Sequence, residues 1–252
     1  MYIWEQMTRE ELQSVSQKDS LVVITIGAME QHGPHLPVNT DNLIVKEIAE
    51  RSIKKANETI PIVLGPNIPF GFSPHHFIYA GTITLSVQTL ITVLKEVVES
   101  VTKSGFTKIF ILNSHGGNDE MIRLAAKEIS FEKDIQIGAA SYWSLMGNCF
   151  DILREKHQSY NVGHAGQFET SLVLAIAEQL VRYDLIHQGK KGREIFDLTF
   201  SSVVTSKPEK IWRQMDGYSD EPWKAKKELG ESVLTFISDV ISEEWITFYN
   251  ES

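Results

Sequence analysis

Residues 27–41 are Gly27-Ala28-Met29-Glu30-Gln31-His32-Gly33-Pro34-His35-Leu36-Pro37-Val38-Asn39-Thr40-Asp41, and they connect two segments with different periodicities. The segment before them, Leu21–Ile26, is continuously apolar and predicts a strand that is buried on both faces. The segment after them repeats apolar residues at intervals of three and four, which predicts a helix over residues 41–56. A strand followed along the chain by a helix is the unit from which α/β folds are built.

Three polar residues in this connection are suited to binding a metal. Glu30 and His32 are two positions apart, so on an extended backbone their side chains point to the same face. Asp41 adds a second carboxylate across a turn rich in Gly and Pro, and such a set supplies half of a metal's ligands. The alternative is a polar turn in which Asp41 only caps the helix.

Strand and helix patterns alternate along most of the remaining chain. Short apolar runs predict further strands at residues 60–64, 109–112 and 135–142, with a possible strand at 200–205. Amphipathic patterns and capping residues predict helices at residues 8–16, 86–105, 119–130 and 163–180, and a long C-terminal helix with Pro222 near its first turn. Residues 150–160 are compatible with a helix or with irregular structure. We therefore predict a single α/β domain over residues 1–252 with a mostly parallel sheet.

The stretch between Gly65 and Gly81 is predicted to be a loop. It contains three prolines, two adjacent histidines and several aromatic residues. A loop of this length and composition is either a binding loop or a segment that packs its aromatic rings against the body of the domain.

The amino-acid composition excludes several classes of binding partner and of metal site. The 252 residues carry 24 Lys and Arg against 33 Asp and Glu, a net charge of −9, which argues against nucleic acid and anionic membranes. The single cysteine, Cys149, excludes an intrachain disulfide and a cysteine-rich zinc site. The first residues do not resemble a signal peptide, and no apolar run approaches the length of a membrane span. We expect a cytoplasmic protein that acts on a small molecule.

Further metal-binding residue types follow the predicted strands or begin predicted helices. His115 follows the strand at 109–112, and both His164 and Glu169 lie where a later helix begins. Ligands of parallel sheets bind at the carboxyl ends of the strands, so we expect these side chains to meet. The complete candidate set is Glu30, His32, Asp41, His115, His164 and Glu169.

This donor set suits a pair of divalent ions such as Zn²⁺, Mn²⁺ or Fe²⁺. A carboxylate bridging two ions leaves room for a bridging hydroxide, and a remaining histidine could carry a proton to a leaving nitrogen. Hydrolysis of an amide or a cyclic C–N bond is the reaction that this inventory would serve. Each residue also has a structural explanation: Glu169 could serve the helix dipole alone, and Gly116-Gly117 could supply only positive φ angles. Those glycines could equally let backbone N–H groups face an anionic oxygen.

Four sequence blocks resemble the creatininase (creatinine amidohydrolase) family. They are Glu30-Gln31-His32-Gly33-Pro34-His35-Leu36-Pro37 with Thr40-Asp41; Ser73 and His76 with Gly81-Thr82-Ile83-Thr84; Asn113-Ser114-His115-Gly116-Gly117-Asn118; and Gly163-His164-Ala165-Gly166 with Glu169-Thr170-Ser171. The resemblance implies a three-layer α/β/α sandwich, a binuclear metal centre and a homo-oligomer, usually a hexamer. It also implies that Glu30, Asp41 and His115 hold one ion, that His32, Asp41 and a further carboxylate hold the other, and that His164 is catalytic.

The chain departs from creatininase proper directly after His115. Creatininase proper has Tyr and then a metal-binding Glu where this chain has Gly116 and Gly117, so the missing ligand must come from elsewhere. We predict that Glu169 replaces it and acts with His164 in catalysis. Ser73, His76, Gly116 and Gly117 are the predicted substrate residues.

The departure favours the His-Gly-Gly-Asn branch of the family and a cyclic amide or formamide other than creatinine as the substrate. The alternatives are a hydrolase of a cyclic polyol ketone or a short peptide, a non-catalytic small-molecule or metal binding protein, and a structural subunit with a vestigial site.

Overall fold

A five-stranded parallel sheet forms the centre of the part of the chain that the structure describes. The computed structural model describes residues 1–146, 163–186 and 215–251. The strands are β1 (Tyr2–Ile3), β2 (Leu21–Ile26), β3 (Ile62–Ile68), β4 (Lys108–Asn113) and β5 (Gln136–Ser141). They lie in the order β1-β3-β2-β4-β5, and every neighbouring pair is parallel. The predicted parallel sheet is therefore confirmed.

Helices cover both faces of this sheet. They are α1 (Arg9–Ser16), α2 (Thr40–Ala56), α3 (Val87–Lys103), α4 (Asp119–Glu132), α5 (Tyr142–Leu145), α6 (Gln167–Ala177) and α7 (Lys227–Asn250). One hydrophobic cluster joins α2, α6 and α7 to one face of the sheet, and a second joins α1, α3 and α4 to the other. Strand β2 contributes Leu21 and Val23 to the first cluster and Val22 and Ile24 to the second, which explains its continuous apolar run. The three-layer α/β/α sandwich is confirmed.

Strand β3 is longer than the sequence predicts. It begins two residues later than expected, at Ile62, and continues past the predicted end to Ile68. The register between β2 and β3 shifts by one residue at Gly65-Pro66, which marks a β-bulge. A bulge is one of the few places in a strand that tolerate proline, because the ladder there needs no N–H donor.

Two further helix boundaries differ from the prediction. Helix α6 begins at Gln167 rather than 163 and ends at Ala177, followed by a 3₁₀ turn, Glu178–Leu180. Pro222 does not open α7 but begins a separate 3₁₀ turn, Pro222–Lys224. The segment predicted as helix or irregular structure at 150–160 and the possible strand at 200–205 lie outside the described residues. None of the helices in the described ranges combines the length and hydropathy needed to cross a bilayer.

Buried asparagines fix the loops at the carboxyl edge of the sheet. Asn118 donates to the carbonyl of Gly27 (3.0 Å) and accepts from the backbone N–H of Phe72 (2.9 Å). Asn113 binds both the N–H and the carbonyl of His115, at 3.0 and 2.7 Å. Asn118 therefore links the loop after β4 to the loops after β2 and β3, whereas Asn113 orders the backbone of its own loop at His115.

The contact between α6 and α7 yields a test of the fold. Gly230 of α7 lies so close to α6 that a Cβ there would come within 1.9 Å of the Ser171 carbonyl oxygen. Ala is a better helix former than Gly by about 1 kcal/mol, but overpacking a close interface costs about 1–3 kcal/mol. Because the clash is with a backbone oxygen, its cost lies at the upper end of this range, and we expect Gly230→Ala to lower the free energy of unfolding in urea by about 2 kcal/mol net.

The matched control is Glu244→Ala, at an exposed position of the same helix. It should change the free energy of unfolding by less than about 0.5 kcal/mol. An increase in stability for Gly230→Ala would contradict the close packing of the two helices.

Candidate metal centre

The predicted ligands lie together at the carboxyl edge of the sheet. Glu30 and His32 are on the loop after β2, Asp41 is in the first turn of α2, His115 follows β4, and Glu169 is in the first turn of α6. All five are buried, with relative exposures of 7% or less. Their convergence from four elements follows from the parallel sheet, because the ends of β2 and β4 meet at one edge.

A first group of three ligand atoms comes from Glu30, Asp41 and His115. His115 Nδ1 lies 3.3 Å from Glu30 Oε1 and 3.3 Å from Asp41 Oδ2. The three donor atoms lie within 4.8 Å of one another, close enough to hold one ion. Both carboxylate oxygens of Glu30 and Oδ2 of Asp41 are buried without a hydrogen-bond partner in the described residues. Buried carboxylate oxygens in this condition are expected to bind a cation.

A second group comes from His32, Asp41 and Glu169. His32 Nε2 lies 3.2 Å from Asp41 Oδ1 and 3.7 Å from Glu169 Oε2. Asp41 therefore belongs to both groups and presents a different oxygen to each. A third combination, Glu30 with His32 and His164, also lies within 4.8 Å.

Backbone carbonyls determine which nitrogen each ligand histidine presents. His32 Nδ1 lies 3.2 Å from the Glu30 carbonyl oxygen, so a proton there leaves Nε2 facing the carboxylates. His115 Nε2 lies 3.1 Å from the Phe72 carbonyl oxygen, which leaves Nδ1 facing Glu30 and Asp41. Each imidazole thus turns one defined nitrogen towards the shared carboxylates, and the lone pair of that nitrogen becomes available to a metal ion once its proton has left.

Gly117 makes the His115 contact possible, because a Cβ there would lie 2.2 Å from the Phe72 oxygen. The structural alternative for Gly116-Gly117, that they supply positive φ angles, is excluded because neither glycine adopts one. Glycine is therefore needed at position 117 because a larger side chain would collide with the Phe72 oxygen. Gly116, in contrast, is exposed, and a Cβ added there would meet no atom of the described residues within 4 Å.

Charge balance explains how three carboxylates can be buried together. Burial alone would raise the pKa of Asp41, but His32 and His115 hold it well below its usual range. Burial alone would lower the pKa of His32, but the carboxylates, Asp41 foremost, raise it to about 10. Burial raises the pKa of Glu169 to about 7. Protons on the histidines thus balance the carboxylates, and a divalent ion must displace them to bind.

His164 lies beside both groups. Its Nε2 is 2.8 Å from the Gln31 carbonyl oxygen and its Nδ1 is 3.5 Å from Glu30 Oε1. Burial, reinforced by the charge of His32, lowers the pKa of His164 to about 3. The imidazole is therefore neutral at physiological pH, with Nδ1 directed towards the carboxylates.

The predicted substrate residues differ in burial and in the part of the site that they contact. His76 is buried, with Nε2 3.4 Å from Glu30 Oε1 and Nδ1 2.8 Å from the side-chain amide of Gln31. Ser73 Oγ lies 3.1 Å from His115 Nε2, whereas the other ring nitrogen of His115 faces Glu30 and Asp41. Gly116 alone of the predicted set is open to solvent.

Three residues that sequence reasoning did not select contact this site. Gln31 Nε2 lies 2.8 Å from His76 Nδ1, to which it can donate, and 3.1 Å from His164 Nε2, while Gln31 Oε1 accepts from the N–H of Gly33 at 2.9 Å. Ser219 and Asp220 bind the loop that carries His164. The only sequence signal for this pair is a turn-like composition between Gly217 and Pro222.

The fold and the site together define a class of α/β protein with a buried His and carboxylate centre, and comparisons identify its family. The model of the creatininase family, described as creatinine amidohydrolase, matches residues 5–244. The chain therefore belongs to the creatininase family of amidohydrolases, as the sequence blocks predict.

Individual relatives agree with this assignment. The chain is 32% identical over 173 residues to a mycofactocin precursor peptide peptidase of Mycobacterium ulcerans, covering 67% of the chain and 63% of the relative. It is 26% identical over 202 residues to a creatinine amidohydrolase of Pseudomonas putida, covering 74% and 75%. A solved manganese form of creatininase superposes with a TM-score of 0.81, 22% identity and 98% coverage of both chains.

A buried histidine beside the centre predicts how stability depends on pH. His35 Nε2 lies 2.9 Å from Thr170 Oγ1, and burial lowers the pKa of His35 to about 4. An unfolded His takes up a proton near pH 6.5, so this contribution to stability is complete above pH 6.5 and is lost between about pH 6.5 and 4. We expect the stability difference between the native chain and His35→Gln to shrink by about 2 kcal/mol from pH 7 to pH 5.

The measurement is urea unfolding of both proteins at pH 7, 6 and 5 in the presence of a chelator, so that metal binding does not contribute. Parallel pH dependence in the two proteins would show that His35 is not buried in its neutral form.

Proposed function

We propose that this chain is a metal-dependent amidohydrolase that holds two divalent ions, Zn²⁺, Mn²⁺ or Fe²⁺. Glu30, Asp41 and His115 would hold one ion, and His32, Asp41 and Glu169 the other. The observation that carries the proposal is the position of Asp41, whose two buried oxygens each face a different group of ligands. The donor chemistry of three carboxylates and two imidazoles fits these metals.

The protein's own residues would supply the remaining functions. Bound divalent ions supply a water of lowered pKa and polarise a substrate carbonyl. His164 would receive a proton at Nδ1 and deliver it to the leaving nitrogen, since its Nε2 is held by the Gln31 carbonyl. Glu169, whose Oε2 lies 3.7 Å from His32 Nε2, would act with His164 in turnover in addition to holding the second ion.

We propose a small molecule with a hydrolysable C–N bond, a cyclic amide or formamide, as the substrate. The names of the two relatives support hydrolysis of an amide-type bond: one acts on a precursor peptide and the other on creatinine. The change from Tyr-Glu to Gly116-Gly117 leaves an open position beside His115, which favours a substrate different from creatinine. A short peptide is the second candidate, because the peptidase relative is 32% identical.

Three further proposals rest on the family resemblance and on composition. The chain would form a homo-oligomer, the hexamer usual in the family, as a single domain in the cytoplasm. Size measurement by light scattering tests the oligomer directly.

Metal stoichiometry tests the shared role of Asp41. After stripping and reloading with Mn²⁺, elemental analysis should give two ions per chain for the native protein. Asp41→Asn should lose both ions because both groups use this carboxylate, whereas Glu169→Gln should lose one. Asp134→Asn, at an exposed position, is the matched control and should keep two. Equal losses in Asp41→Asn and Glu169→Gln would exclude the shared role.

Turnover tests the role of His164. The reloaded enzyme should hydrolyse at least one member of a panel of lactams, formamides and short peptides, measured as released amine or acid. His164→Gln should keep both ions and lose a factor of about 10²–10⁴ in kcat, the usual contribution of general acid–base catalysis.

Two other results would contradict the role of His164 or the proposed activity. Retained turnover in His164→Gln would remove the residue from the mechanism. Binding of panel compounds without any turnover in the native protein would favour the non-catalytic binding protein instead.

A further inference from the structure

A short segment from far along the chain covers the loop that carries His164. The backbone N–H of His164 donates to Ser219 Oγ at 2.8 Å, and the N–H of Ser219 donates to the His164 carbonyl at 2.8 Å. Asp220 Oδ1 accepts from the N–H of Gln167, the first residue of α6, at 2.6 Å. These three hydrogen bonds hold both sides of the loop at residues 163–166. We call Ser219 and Asp220 the clamp.

The glycines of the loop are explained by the clamp. A Cβ on Gly166 would lie 1.6 Å from Asp220 Oδ1, and one on Gly163 would lie 2.0 Å from Ser219 Oγ. Gly166 has φ −90° and ψ −157°, an extended conformation that any residue can adopt. Its small size, and not its conformational freedom, therefore matters at this position.

The loop conformation in turn determines the position of a metal ligand. The N–H of Ala165 donates to Glu169 Oε2 at 2.5 Å, and the same oxygen lies 3.7 Å from His32 Nε2. Ala165 has φ +51°, which a residue with a Cβ adopts only when its surroundings hold it there. The clamp binds His164 directly before Ala165 and Gln167 two positions after it.

We propose that Asp220, assisted by Ser219, is a positioning residue that holds His164 and Glu169 at the metal centre. The proposal rests on the proposed function, because it requires that Glu169 binds a metal ion and that His164 acts in turnover. The Asp220 carboxylate accepts from a backbone N–H at the start of α6, so it acts through the backbone of the loop and of this helix. Groups that orient ligands in this way typically contribute 10–100-fold to metal affinity or activity.

The first experiment compares Asp220→Ala and Asp220→Asn in the full-length protein, with Asp184→Ala as an exposed control. The alanine variant loses the acceptor for the Gln167 N–H, whereas the asparagine variant keeps an acceptor oxygen. Hydrogen–deuterium exchange measured by mass spectrometry should be faster over residues 163–170 in Asp220→Ala. It should be close to native in Asp184→Ala and intermediate in Asp220→Asn.

Metal affinity is the second readout. Competition with a chelator for Mn²⁺ should show that Asp220→Ala weakens one of the two ions by about 10–100-fold, while the ion held by Glu30, Asp41 and His115 keeps its affinity. On an active panel substrate, kcat should fall by at least a similar factor for the metal-saturated variant. Asp220→Asn should recover most of both losses.

A double-mutant cycle tests the contact from the opposite side. Gly166→Ala should increase exchange over residues 163–170 in the native background, because its Cβ would displace the Asp220 carboxylate. In the Asp220→Ala background the same substitution should have a much smaller effect, since the obstructing oxygen is gone.

The outcomes separate this proposal from the proposed function. Native exchange over residues 163–170 in Asp220→Ala would overturn the clamp, as would additive effects in the cycle. A lower melting temperature with native exchange, metal affinity and kcat would reduce Asp220 to a structural role and also overturn it. If the native protein binds no metal, the proposed function fails, and the role of Asp220 at a metal centre fails with it, whereas the exchange data still decide whether the clamp orders the loop.

Discussion

The Asp41 carboxylate between two imidazoles is the interaction on which the site depends. Its oxygens lie 3.2 Å from His32 and 3.3 Å from His115, and all three side chains are buried. A buried carboxylate is costly unless it is paired, and the position of Asp41 in the first turn of α2 adds the favourable end of the helix dipole. The other two candidate ligand carboxylates differ in their nearest histidine: Glu30 lies 3.3 Å from His115, and Glu169 lies 3.7 Å from His32.

The scaffold explains how such a centre can be assembled from distant parts of the chain. Parallel strands β2 and β4 end side by side, so the loops that follow them start from one edge. Asn118 then ties the loops after β2 and β4 together, and helices α2 and α6 each carry a candidate ligand in the first turn. The precision of the site comes from backbone hydrogen bonds as much as from the ligand side chains.

Much of the fold and of the candidate site could be predicted from the sequence, because the residues that determine them lie close together along the chain. The apolar run of β2 and the residues Glu30, His32 and Asp41 lie within 21 positions, and each block carries its own strand or helix signal. Other features depend on distant partners and leave no local pattern. Ser219 binds His164 across 55 positions, and the β3 bulge is recognisable only against the register of β2. The space needed at Gly117 and Gly166 likewise depends on atoms from other segments.

The sharing of Asp41 between two ions is tested most directly by anomalous diffraction from Mn²⁺-loaded crystals. Data collected at the manganese edge should show two peaks about 3.5–4 Å apart, one beside Glu30 and His115 and the other beside His32 and Glu169. The Asp41 carboxylate should lie between them and contact both. A single peak, or two peaks of which only one contacts Asp41, would contradict this account.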